Sequence, residues 1–191
     1  MIRYPIHSIA ASRATLAGTA MGRQMLAQLI AETKPITEPT IAYLDFAGID
    51  IATGSFLREA VLGFRDFSRN AIGTLYPVLA NANAAIEEEL SIYLKDRNDA
   101  IWACSLDDGG TASTPHILGD LDLVQINTLQ LISQNKAISA PELAKMRPNE
   151  GIGTTAWNNR LATLAAKGIL MEIKQGKTKL FMPVMEATYG G

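Results

Sequence analysis

The sequence has a single cysteine, Cys104, which excludes an intramolecular disulfide and suits a reducing compartment. Its two histidines, His7 and His116, stand far apart, and neither a CxxC pair nor an HExxH spacing occurs, so no metal site is expected. No apolar run approaches the roughly 20 residues needed to cross a bilayer. The start, Met1-Ile2-Arg3-Tyr4-Pro5, lacks the apolar stretch and cleavage site of a secretory signal, so the expected location is cytoplasmic, with no membrane association. Gly151 and Gly153 have no third glycine and no following Lys-Ser/Thr, and Gly18 and Gly22 fall in a helical stretch; neither pair is a phosphate loop. Nothing arranges Ser, His and Asp as a triad. Asp107-Asp108 reads as a solvated turn, Asp45 as a strand-end turn or cap, and Cys104 as a buried small side chain. No catalytic residue and no cofactor is nominated, and the chain is not expected to be an enzyme.

What is present divides by charge. Residues 121–191 hold eight of the 17 basic and five of the 19 acidic side chains, a net of +3, which leaves the first 120 with a net of −5. An acidic front and a basic back suggest two functional units, of which only the second suits a polyanion.

The front half alternates helix and strand. Leu16, Met21, Met25, Leu26, Leu29 and Ile30 recur at helical spacing until Pro35 and Pro39 break the pattern. Thr40 to Phe46 reads as a buried strand. Ser55 can cap the next helix, whose Phe56, Leu57, Ala60, Val61 and Phe64 face a core. A strand from Thr74 to Ala80 contains Pro77, which favours an edge or a strand end. Asn83 can cap a helix with Ile86, Leu90, Tyr93 and Leu94 on one face, and Asp99 to Leu106 gives a third strand. The Gly-rich stretch Asp107 to Pro115 reads as a linker, so the expected domains are 1–114, an α/β layer, and 115–191.

The back half runs helix, short helix, turn, longer helix, hairpin. Leu121 to Ser133 is apolar at helical spacing, and Ser139 with Glu142 has the reciprocal capping-box spacing. Thr154 can cap a helix that turns Trp157, Leu161, Leu164 and Ala165 inward and ends at Lys167-Gly168. Two strands follow, Ile169 to Lys174 and Lys179 to Val184, around a Gln175-Gly176-Lys177-Thr178 turn. The segment Thr154 to Leu161 followed by Leu164 to Leu170 resembles the winged-helix domains of bacterial transcription regulators. That likeness implies a small α+β DNA-reading unit over about sixty residues, in a fold that also serves protein contacts. Thr155, Asn158, Asn159 and Thr163 then fall on the outer face, where Asn suits adenine and Thr a thymine methyl or a phosphate. Arg160 reaches a base or a phosphate, and Lys174, Lys177 and Lys179 hold the adjacent backbone of double-stranded DNA.

In the front half, Ser12-Arg13, Gly22-Arg23, Leu44-Asp45-Phe46-Ala47-Gly48-Ile49, Ser55-Phe56-Leu57-Arg58-Glu59 and Asn81-Ala82-Asn83 together resemble STAS-like domains, relatives of the sulfate-transporter and anti-sigma-factor-antagonist fold. The resemblance implies a non-catalytic α/β domain that binds a protein partner, in some members under phosphorylation control. Regulated members carry Asp-Ser-Ser or Asp-Ser-Thr where strand meets helix. Here Thr53 stands at the acidic position and Gly54 at the acceptor, so phosphorylation is not what this sequence predicts. Thr53 and Ser55 remain the candidate hydroxyls, with Ser55 read first as a cap, and Arg13 and Arg23 are candidates for an anion or partner surface.

The expected whole is a STAS-like α/β domain followed by a winged helix: a transcription regulator whose front half senses a signal or binds a partner. The alternative is a non-enzymatic adaptor in which the winged helix docks a protein. For self-association, two surfaces are candidates: Leu90, Tyr93 and Leu94, or the first helix of the back half.

Overall fold

Strands apolar at every position must be covered on both faces. The structure, a computed structural model describing residues 1–135 and 137–186, buries every residue of β5 (Leu75–Ala80) and nearly every one of β6 (Ala100–Leu106). These strands lie parallel to β3 (Thr40–Asp45) and to β1 (Ile2–Pro5), while β7 (Ala112–Gly119) runs antiparallel to β6, in the order β1-β3-β5-β6-β7. The fold is thus a mixed α/β fold on a mixed sheet.

Parallel strands taken in sequence order step one way across the sheet, and right-handed crossovers then put all connecting helices on one face. These are α1 (Ile6–Ile9), α2 (Thr19–Glu32), α3 (Gly54–Leu57) and α4 (Gly63–Phe67), the last two joined by a π-helical turn at Arg58–Leu62 and followed by another at Ser68–Ile72, and α5 (Ala84–Lys95). A two-residue parallel pair, β2 (Thr15–Leu16) with β4 (Ile51–Ala52), flanks them. Met25, Leu29, Phe56, Phe64, Ile86, Leu90 and Leu94 pack there against Ala42, Leu44, Leu79 and Ile101.

The opposite face, Tyr43, Tyr76, Val78, Trp102 and Cys104, is covered by the rest of the chain: α6 (Leu123–Ser133), α7 (Ala140–Met146), a 3-10 turn (Pro148–Glu150), α8 (Thr154–Ala166) and the hairpin β8 (Leu170–Gln175) with β9 (Thr178–Pro183). One continuous apolar cluster joins sheet to helices. Burying each large side chain in it contributes about 1.5–3 kcal/mol. Polar anchors fix the orientation: Trp102 Nε1 donates to the Ile169 carbonyl at 3.0 Å, and Glu172 N donates to Tyr76 Oη at 2.8 Å. Arg69 stacks on Tyr76, 4.0 Å from its centroid, and donates to the Ala165 carbonyl. Burial pushes the Cys104 thiol up to about 11, helped by the Asp45 charge.

Several expectations change. The stretch read as a linker is a turn at Asp107 to Gly110 followed by β7, and the boundary expected at 114/115 falls inside that strand. Pro77 lies in a central strand: it pairs with Ala42 of β3, and β6 joins β5 only at Leu79 and Ala80, past the proline, where the missing N–H costs no ladder bond. Thr53, not Ser55, caps α3, and α8 starts from Gly153 with no side-chain cap. Asn83 caps α5 as expected. Leu90 and Leu94 are fully buried and offer no outer surface, whereas α6 leaves Leu123 and Val124 exposed.

Asp45 is buried at the carboxyl end of β3, paired with Arg3 at 2.6 Å, and accepts from Asn81 Nδ2 and from Ala47 N. Asn81 also bonds Leu106 through both its amide groups, so one polar cluster ties the ends of four strands. The Tyr76–Glu172 bond makes a test. Tyr76→Phe orphans the Glu172 N–H and should lower unfolding stability by about 1–3 kcal/mol. Urea unfolding of the parent should give coincident transitions by circular dichroism and tryptophan fluorescence; separate transitions would break the shared core.

Candidate nucleic-acid interface

The candidate surface is assembled by local devices. Ser139 N donates to Glu142 Oε2 at 2.8 Å, the Ser139 hydroxyl lies 2.6 Å from the same oxygen, and Glu142 N donates back, which is the capping box that starts α7. Gly151, at φ +65, makes the left-handed turn that lets the chain leave the 3-10 turn and enter α8. Within α8 the inward stripe is Trp157, Leu161, Leu164 and Ala165, as the periodicity predicts, and Thr155, Asn158, Asn159 and Thr163 are exposed. In the hairpin Lys174 pairs with Lys179 across the strands, and Lys177 stands in the turn.

An open groove of about 460 Å³ lies between the starts of α7 and α8 and the hairpin tip, lined by Ala140, Pro141, Thr154, Thr155, Asn158, Lys177, Thr178 and Lys179. It brings together four of the residues expected to meet DNA: Thr155, Asn158, Lys177 and Lys179. Lys179 also pairs with Glu172 at 3.0 Å, which offsets part of its charge. The others lie elsewhere. Lys174 lines a cleft of about 790 Å³ between β8 and the segments that lead into β3 and β5, with Thr37, Glu38 and Thr74. Thr163 donates its hydroxyl to the Asn159 carbonyl at 2.9 Å, further along the exposed face. Arg160 lies over the Trp157 ring, 5.1 Å from its centroid, at a separate cleft. Sequence reasoning missed Ala140, Pro141, Thr154 and Thr178. The start of α7 reaches the groove only through its packing on α8, and no spacing encodes that.

The front-half candidates are already engaged. Thr53 Oγ1 accepts from Gly18 N and Phe56 N and lies 3.2 Å from Ser55 Oγ. Gly54 N donates to Glu89 at 3.1 Å, so a carboxylate occupies the place at the helix start that a phosphate would need. Gly22 has no room for a Cβ, which would stand 2.8 Å from the Phe56 carbonyl, and this close approach lets neighbouring Arg23 pair with Glu59 at 3.1 Å. Hydrogen bonds from Arg58, then from Arg23, hold the Glu59 carboxyl below the usual range. Arg13 lines a depression of about 130 Å³ with Met21, Gln24 and Gln28, whose lining does not include Arg23.

Among the described residues, no helix is long and apolar enough to cross a membrane. No protein-family model matches the chain, and comparison with curated proteins finds no match.

The capping box has a pH signature. Bonds from the Ser139 hydroxyl and backbone hold the Glu142 carboxyl below its ordinary value, so its ionised form is favoured by folding. That stabilisation is complete above the ordinary glutamate range and is lost as pH falls through the lowered value. Ser139→Ala should lower Tm by roughly 2–4 °C near neutrality. The gap from wild type should narrow as pH falls below the ordinary glutamate range. Melts showing a gap independent of pH would place the cap's stabilisation elsewhere.

Proposed function

We propose that this chain is a cytoplasmic DNA-binding transcription regulator, with residues 121–184 acting as a winged helix-turn-helix. Its sheet and helix layer is proposed to be STAS-like and to receive a signal or a protein partner. The observation that carries the reading is the groove in which Thr155 and Asn158 of α8 face Lys177 and Lys179 of the hairpin. A helix of this width enters a B-DNA major groove, and an adjacent hairpin then meets the flanking backbone. In that pose Asn158 bonds an adenine edge, Thr155 a thymine methyl or phosphate, and the two lysines hold phosphates.

The net of +3 over residues 121–191 is small for a DNA-binding unit, so useful affinity comes from two copies on two half-sites. The exposed α6 residue Leu123, which lines no part of the α6–α8 cleft, is the proposed site of that pairing. A signal at the sheet would reach α8 and the hairpin through Arg69, Tyr76 and Trp102. No catalytic step is proposed. A second reading, a protein-docking adaptor, draws on the Glu172–Lys179 pair and on the neutral Thr, Asn and Ala surface of α8.

Fluorescence-anisotropy titration of the full chain against its own upstream duplex and an unrelated duplex tests the proposal. Binding should weaken between about 50 and about 200 mM salt. Lys177→Ala should lower affinity for both duplexes and reduce the salt slope by about 1, while Asn158→Ala should also erase the preference between them. No binding at the lower salt would leave the adaptor, and binding indifferent to both substitutions would overturn the assigned surface.

A further inference from the structure

A cleft of about 440 Å³ opens between α6 and α8, within the range of small-molecule sites. It is distinct from the groove at the hairpin tip and shares no lining residue with it. Val124, Leu131 and the Trp157 indole give it an apolar lining, and Asn127, Arg147, Glu150 and Arg160 give it polar groups.

Its polar balance is unusual. Trp157 is 2% exposed, and its Nε1 has no hydrogen-bond acceptor among the described residues. The other tryptophan, Trp102, is equally buried but gives its Nε1–H to the Ile169 carbonyl. A buried donor left unpaired is costly, and native structures seldom keep one without a use. Beside it Arg160 lies on the Trp157 ring and forms no ion pair or hydrogen bond among the described residues, although most other arginines of the chain do. Arg147 has Glu150 at 3.9 Å, a loose pair that cancels one positive charge. The cleft is left with one uncompensated guanidinium and an apolar wall, over a Trp157 ring whose N–H is unpaired but shielded from solvent.

We propose that this cleft binds a small monocarboxylate with an apolar body, its carboxylate taking the Arg160 guanidinium beside the Trp157 ring, its body lying on Val124 and Leu131. A guanidinium only donates and is always charged, so its complement is an acceptor group carrying negative charge. Glu150 at the same cleft selects for a single charge over a dianion such as phosphate. The apolar wall selects against acetate-sized ions, because burying hydrocarbon supplies the rest of the affinity. Arg160, expected from sequence to touch DNA, is thereby assigned to this ligand.

The test needs no DNA, so its failure leaves the DNA reading untouched. The full chain labelled with nitrogen-15 shows two indole signals, assigned through bonds to Trp102 and Trp157, and is titrated with sodium benzoate. The Trp157 signal should shift saturably while the Trp102 signal stays in place. Benzamide, of the same shape but uncharged, should bind about tenfold more weakly, and Arg160→Gln should weaken benzoate about tenfold with both signals otherwise preserved. The proposal is overturned by an unmoved Trp157 signal up to about 20 mM benzoate, a concentration at which even millimolar sites fill. Equal binding of benzamide, or benzoate binding unchanged in Arg160→Gln, would overturn it too. A Trp157 signal that moves with protein concentration alone would assign the cleft to a second copy of the chain and reject the carboxylate.

Discussion

Everything in this molecule hangs on the second face of the sheet. Four parallel strands in sequence order put every crossover helix on one side, and the other side, with Tyr43, Tyr76 and Trp102 on it, cannot be left to water. The last third of the chain is its cover. Apolar contact supplies the driving force but not the orientation, since apolar burial is non-directional. Direction comes from a few polar bonds at fixed points: Trp102 to Ile169, Tyr76 to Glu172, Arg69 to Ala165. Each grips the segment between the last turn of α8 and the first strand of the hairpin. The surface facing away from the sheet is therefore set by the surface facing it.

How much of this was legible depended on distance along the chain. Features closed within one helical turn were readable: the Ser139–Glu142 box, the Asn83 cap, the inward stripe Trp157, Leu161, Leu164. Those decided by a distant neighbour were not. β7 carries Ser113, Thr114 and His116 exposed at the sheet edge, a composition that an edge strand shares with a loop. Pro77 sits in a central strand because β6 joins β5 only beyond it, and nothing local to the proline announces that. Tyr76 and Trp102 read as members of buried strands, but what buried their outer face lay about seventy to a hundred residues away.

The candidate groove shows the same division. Periodicity found Thr155 and Asn158, and turn chemistry found Lys177 and Lys179, while the contribution of Ala140 and Pro141 awaited the packing of α7 on α8. Arg160 illustrates the opposite error. On a helical wheel it borders the outer face; in the fold its guanidinium is drawn onto the ring of Trp157, three residues earlier, and turned toward α6. A long flexible cation settles on the nearest aromatic face rather than where a wheel projects it.

The cross-strand pairing of Lys174 with Lys179 makes the hairpin frustrated by design of its sequence. Like charges set opposite each other oppose strand pairing, and Glu172 relieves only one of them. The free hairpin therefore holds unspent repulsion that any fixed array of negative charge would release on contact. Were the hairpin to make the DNA contact proposed above, it would gain order from that contact, and its rigidity would become a property of the complex rather than of the chain alone.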